Sequence, residues 1–149
     1  MTHRFPAACL SAAILGIASP LAAPALAQVA TAYTCTIQKK QDIDLVPEIL
    51  FIGHRSGDKT AIVSDPIVLH FNDDQPMEAK AVRVNSEKAV FRWTVRGPRT
   101  TDHRTVRLRY EVDINRKTGA IFLAARVTEL RGQLSGRGTC EIKQIKTDS

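Results

Sequence analysis

Two stretches of strict alternation flank a polar loop between Val90 and Ile114, and they limit the possible folds more than any other feature of the chain. Phe91, Trp93 and Val95 share one face of the first arm, with Arg92, Thr94 and Arg96 on the other. Val106, Leu108, Tyr110, Val112 and Ile114 share one face of the second arm, with Arg107, Arg109, Glu111 and Asp113 opposite. Successive strand side chains point to opposite faces, so this pattern predicts a half-buried antiparallel hairpin. The one Trp and one of the two Tyr sit on its apolar faces, and the rest of the chain must supply the core that covers them.

The remaining sequence reads as short strands separated by turn signals. Residues 32–38 alternate, and residues 48–54 (EILFIGH) form a continuous apolar run before the Ser56-Gly57-Asp58 turn. Residues 59–64 complete a hairpin. Asp65-Pro66 marks a turn or bend, and residues 67–71 (IVLHF) read as a strand with Ile67, Leu69 and Phe71 on one face. Residues 78–84 alternate weakly before the Asn85-Ser86 turn. After the main hairpin, Asn115 to Gly119 reads as a turn, with Gly119 able to take positive φ. Residues 119–128 (GAIFLAARVT) read as a strand buried on both faces except at Arg126. Residues 129–138 read as a loop made flexible by Gly132, Gly136 and Gly138, with room for one helical turn near Glu129–Leu134. Residues 139–145 form the last strand. The expectation is an all-β chain: one antiparallel β-barrel or β-sandwich of about eight to nine strands.

The N-terminus predicts the compartment. Arg4 precedes an apolar run from Ala7 to Ala18, Ser19-Pro20 breaks it, and Ala25-Leu26-Ala27 is a small-residue cleavage site. Residues 1–27 are therefore expected to be a cleaved signal peptide and 28–149 an all-β domain of the periplasm or the exterior. An uncleaved anchor is the alternative, opposed by Pro20, Pro24 and a run shorter than the about 20 residues a spanning helix needs. No other segment of the sequence could span a membrane. Cys9 leaves with the signal, and Cys35 and Cys140 remain, near opposite ends of the domain. An even pair in a small exported domain is expected to form a disulfide. Two free thiols are the alternative.

No catalytic, metal or cofactor motif is present. His54, His70 and His103 lie far apart with no close ligand spacing, and surface or structural roles are expected for them. Asp102-His103 lacks the elements of a triad, which geometry defines. Asp73, Asp74 and Glu78 fit a solvated turn better than a calcium loop. The strongest candidate site is the basic hairpin, with Arg92, Arg96, Arg99, Arg104, Arg107 and Arg109 beside His103. Guanidinium groups match phosphate and carboxylate bidentately, so the cluster is a candidate anion-binding surface for lipid head groups, lipopolysaccharide or acidic glycans. Pairing of the arms about residue 100 would set Arg92 opposite Arg107 or Arg109. The competing reading is a solvated sheet face balanced by Glu111 and Asp113. Nucleic acid is disfavoured, because the aromatics lie on the buried face and do not interleave with the arginines.

A barrel of eight strands either encloses one small ligand or is filled by side chains. Phe51, Phe71, Phe91, Trp93, Tyr110 and Phe122 are the large residues expected to fill it. The leading functional expectation is a non-enzymatic binding or interaction module of the bacterial cell envelope, without a cofactor, whose partner is an envelope lipid, glycan or protein. The alternatives are a carrier of a small apolar ligand in the barrel and an enzyme whose site assembles only in space.

Tyr33-Thr34-Cys35 near the start of the domain and Ser135-Gly136-Arg137-Gly138-Thr139-Cys140 near its end resemble the ends of small exported bacterial β-proteins of unknown function. Asp65-Pro66 and Phe91-Arg92-Trp93 in the middle are similar to theirs. That resemblance implies no activity. The Tyr-x-Cys start also resembles that of the periplasmic lysozyme inhibitors, which are small disulfide-tied β-barrels. This chain lacks their SGxxY-type loop, and its net charge of +6 is opposite to the acidic surface that an inhibitor of a cationic enzyme would need.

Overall fold

A computed structural model describes residues 28–147, apart from 42–43, 100–101, 103 and 129–131. The expected signal peptide, its cleavage site, Cys9, His103 and the start of the expected turn at Glu129–Leu134 lie outside the described residues. Among those described, eight strands and one short helix follow one another: β1 Gln28–Lys39, β2 Ile49–Arg55, β3 Thr60–Ser64, α1 Pro66–Phe71, β4 Met77–Val84, β5 Lys88–Arg99, β6 Thr105–Asn115, β7 Ala120–Val127 and β8 Leu134–Thr147. Every strand pairs antiparallel with its neighbours in sequence, and β1 also pairs with β8, which closes the sheet into an up-and-down barrel.

Alternation explains the closure. Inward positions carry Tyr33, Cys35 and Ile37 on β1, Leu50, Ile52 and His54 on β2, Phe91, Trp93 and Val95 on β5, and Leu108, Tyr110, Val112 and Ile114 on β6, all buried. The Trp93 and Tyr110 rings stack with centroids 5.2 Å apart, and Tyr33 meets Phe91 edge-on at 5.7 Å. A void wider than a water molecule would leave accessible area on the side chains around it. Tyr33, Phe91, Leu50, Leu108, Tyr110 and Leu123 each expose less than 2% of theirs, so side chains fill the barrel along these residues. The outer face of β5 and β6 is charged, the reverse of the apolar band that a lipid-spanning barrel presents. No helix among the described residues is long and apolar enough to cross a membrane.

Cys35 and Cys140 stand directly opposite one another in the β1–β8 register and are joined by a disulfide, with their Cα atoms 3.9 Å apart. Closure of the barrel is what brings these two positions, 105 residues apart in sequence, together.

Several local expectations are corrected. Residues 67–71 are helical, because Asp65 caps them: its Oδ1 accepts from Ile67 N at 2.7 Å and Val68 N at 2.9 Å. Pro66 occupies the first helical turn, where its fixed φ fits and its missing N–H is not needed. Asp65-Pro66 is thus a helix start, and His70 lies in the last turn of that helix and not on a strand. β7, expected to be buried on both faces except at Arg126, buries only one: Ala120 and Phe122 are exposed as well, and β2 alternates in the same way. Ile49 and Phe51 are half exposed and point outward. Ile62 and Ile145 are likewise half exposed and line one depression with Ala30, Ala32 and Gly53. In β7, Phe122 also points outward and packs under the Arg137 guanidinium, 5.7 Å from its ring centroid. Phe51 and Phe122 therefore do not fill the interior, where the two tyrosines, Trp93, Phe91 and the aliphatics suffice. Gly136 and Gly138 are strand residues of β8 and not loop hinges. Gly119 does take a positive φ, of 76°.

Asp65 is 2% exposed, and its Oδ2 has no hydrogen-bond partner. Burial raises its pKa above the ordinary 3.8, and the two backbone N–H bonds only partly offset this. A folded pKa above the unfolded value means that the folded state holds the proton more tightly. The stability Asp65 contributes is fully present below pH 3.8 and is lost as pH rises through the raised value. Asp65→Asn keeps an oxygen that can cap the helix and removes the buried charge. Urea midpoints measured across this range are expected to fall with pH in the native protein and to flatten in the variant. Equal slopes in both would exclude Asp65 as the source.

Candidate basic outer face

The inward stacking of Trp93 on Tyr110 sets the register of β5 and β6, and the register decides which outward charges meet. Arg92 stands opposite Glu111, Thr94 opposite Arg109, and Arg96 opposite Arg107. The expected pairing of Arg92 with Arg107 or Arg109 does not occur, because Trp93 stands opposite Tyr110, which sets Glu111 opposite Arg92. Arg92 Nε forms an ion pair with Glu111 Oε2. The same register sets Lys88 Nζ 2.5 Å from Asp113 Oδ2. One arginine of the row, Arg92, is therefore neutralised by Glu111, while Asp113 is taken up by Lys88.

The neighbouring strands extend the row. Lys80 of β4 is in register with Arg92, and Arg126 of β7 with Arg109. Neither residue belongs to the sequence-derived cluster. Both occupy outward positions of alternating strands, but only knowledge of which strands are adjacent could have joined them to the hairpin. Lys80, Arg92, Arg96, Arg107, Arg109 and Arg126 are all exposed on the outer face of β4–β7. Arg104, in the connection before β6, is also exposed. Arg99 ends β5 in register with Thr105, and its side chain lies outside the described residues.

Short residues among these long ones shape the surface. Beside Ala124, a depression of about 330 Å³ is walled by Arg92, Arg109, Arg126 and Phe122. Above Thr94, a second of about 490 Å³ shares the three arginines and adds Lys80. Arg126 is steadied by Gln133, whose Oε1 accepts from Nε at 3.0 Å. Among the described residues, Glu111 is the one carboxylate lining either depression, and it is engaged by Arg92. The remaining cationic groups can take phosphate or carboxylate oxygens by charge-assisted, bidentate hydrogen bonds. No group of three metal-ligating side chains converges among the described residues. His54 is an interior residue whose Nε2 lies 2.9 Å from Asp58 O; a carbonyl only accepts, so Nε2 carries the proton.

Fold and surface together define the class: an up-and-down eight-stranded β-barrel, filled by side chains, with a basic outer face. Comparison with protein-family models, with curated proteins and with solved structures finds no match for this chain.

Proposed function

We propose that the chain is a non-enzymatic, exported binding module of the bacterial cell envelope, and that the outer face of β4–β7 docks on the phosphate groups of anionic lipids. The observation that carries this reading is the gathering of Lys80, Arg92, Arg96, Arg107, Arg109 and Arg126 on one side of the barrel, with the acids Glu111 and Asp113 each engaged by a cation. The packing of the interior speaks against a carrier of apolar ligands and moves attention to the exterior. Export rests on the signal-like residues 1–27.

Vesicles of phosphatidylglycerol mixed with phosphatidylcholine test it, with phosphatidylcholine alone as the control. The domain is expected to sediment with the anionic vesicles only, and added salt should release it. Each basic residue near such a surface contributes about 1 kcal/mol, so Arg109→Ser with Arg126→Ser should weaken binding about thirtyfold. Equal binding to both vesicle types, or no change in the double variant, would sink the reading. Binding to an acidic polysaccharide but not to lipid would redirect it to glycans.

A further inference from the structure

The side of the barrel away from the basic face carries an outer surface of the contrary kind. β2 and β6 lie four places apart in the closed order of eight strands, and so on opposite sides. No outward residue of β1 from Ala32 to Thr36, of β2 from Ile49 to Gly53 or of β3 from Ile62 to Ser64 carries a charge. Ile49, Phe51 and Ile62 are each half exposed there. Large apolar side chains gathered on an exposed surface mark a place that meets another surface. One row of paired residues crosses these strands. Lys143 of β8 stands opposite Ala32, Ala32 opposite Gly53, Gly53 opposite Ile62, and Ile62 opposite Glu78 of β4. The row is basic at one end and acidic at the other, with a small residue and a bulky one on either side of a central glycine.

Such a row is complementary to its own reverse. We propose that the outer face of β1–β3 binds a second copy of this chain, in a symmetric dimer whose two-fold axis lies over β2 and parallel to it. That axis turns the row end for end on the facing copy. Ile62 then meets Ala32 of the second copy, and on each rim Lys143 comes to the side of Glu78. The room for Ile62 exists: Ala30, Ala32 and Gly53 line a depression of about 340 Å³, and a Cβ added at Gly53 would touch nothing within 4 Å. In the next row Phe51 lies on the same axis, between Thr34 and Ser64, and meets its own copy as an aromatic pair. Lys143 already pairs with Glu141 at 3.0 Å, but that pair is exposed and an ammonium has three donors. Arg55, two residues beyond Gly53, would meet its own copy, so the contact is bounded there. The dimer leaves the arginines of β5 and β6 uncovered, and the proposal does not rest on the lipid reading.

The test is sedimentation equilibrium of the purified, oxidised protein over a range of concentrations. The profiles are expected to follow one monomer–dimer equilibrium. Ile62→Glu sets an unpaired charge against Ala32 of the second copy and should weaken association at least tenfold. Ile62 is half exposed, so the fold should survive the change, and an unchanged urea midpoint under dilute, monomeric conditions checks this. Glu78→Lys puts like charges on both rims and should weaken association about threefold. Lys143→Glu added to it restores opposite charges and should recover the loss, which a merely apolar contact would not do. Arg109→Ser with Arg126→Ser should leave the dimer unchanged, which separates this surface from the proposed lipid face. A monomer at every concentration, or a dimer that Ile62→Glu does not weaken, would overturn the proposal. A monomer that instead sediments with phosphatidylcholine vesicles, and loses this with Ile62→Glu, would also overturn it and give the surface to a lipid.

Discussion

Replacement of Cys35 and Cys140 together by alanine is expected to lower the unfolding free energy by about 2–5 kcal/mol. The bridge spans 105 residues of sequence, nearly the whole barrel, and ties the seam where β1 meets β8. For a loop of this length the chain-entropy account gives about 4–5 kcal/mol, all of it from restriction of the unfolded chain. A domain of this size has only about 5–15 kcal/mol in total, so the variant should lose much of its margin. Both cysteines are buried, and alanine adds a small cavity to the loss. Urea midpoints of the oxidised protein and the double variant measure the effect. Alkylation under denaturing, non-reducing conditions checks the premise: no thiol should react in the domain from Gln28. Two reactive thiols, or equal midpoints, would remove the bridge from the account of stability.

Gly138→Ala is expected to be as damaging, at about 3 kcal/mol or more, for a different reason. A Cβ at this position would lie 1.8 Å from Thr36 O and 2.8 Å from its carbonyl carbon. Both are backbone atoms of β1, so no flexible side chain can yield, and the closing strands would have to part. The clash falls two residues from Cys140, where the seam is also covalently tied. Gly53→Ala is the control, because a Cβ there meets nothing within 4 Å. Its midpoint should stay within about 0.5 kcal/mol of the native protein. A Gly138→Ala protein that unfolds at the native midpoint would show that β1 and β8 are not packed this closely.

Several features were legible because they depend on neighbours along the chain. Alternation over Val90–Ile114 marked the hairpin and its buried aromatic face, and Asn115–Gly119 marked the turn that follows. The helix Pro66–Phe71 was misread although its signal is local: Asp at the cap and Pro in the first turn outweigh the alternation of IVLHF. The outward turn of Phe51 and Phe122 was hidden for another reason. A run of apolar residues does not reveal how many of its faces are covered, and here the filled interior needs only every second residue.

The sequence by itself determined the all-β class, the hairpin at its centre and the pair of cysteines available for a bridge, since periodicity and residue type carry that information directly. The tertiary structure decided what depends on strand adjacency. Closure set Cys35 against Cys140, and the Trp93–Tyr110 stack shifted Arg92 onto Glu111. Pairing of β4 with β5 and of β6 with β7 brought Lys80 and Arg126 to the arginine face. Each of these contacts joins residues far apart in the chain, and no local pattern records which strand a given strand will have as its neighbour.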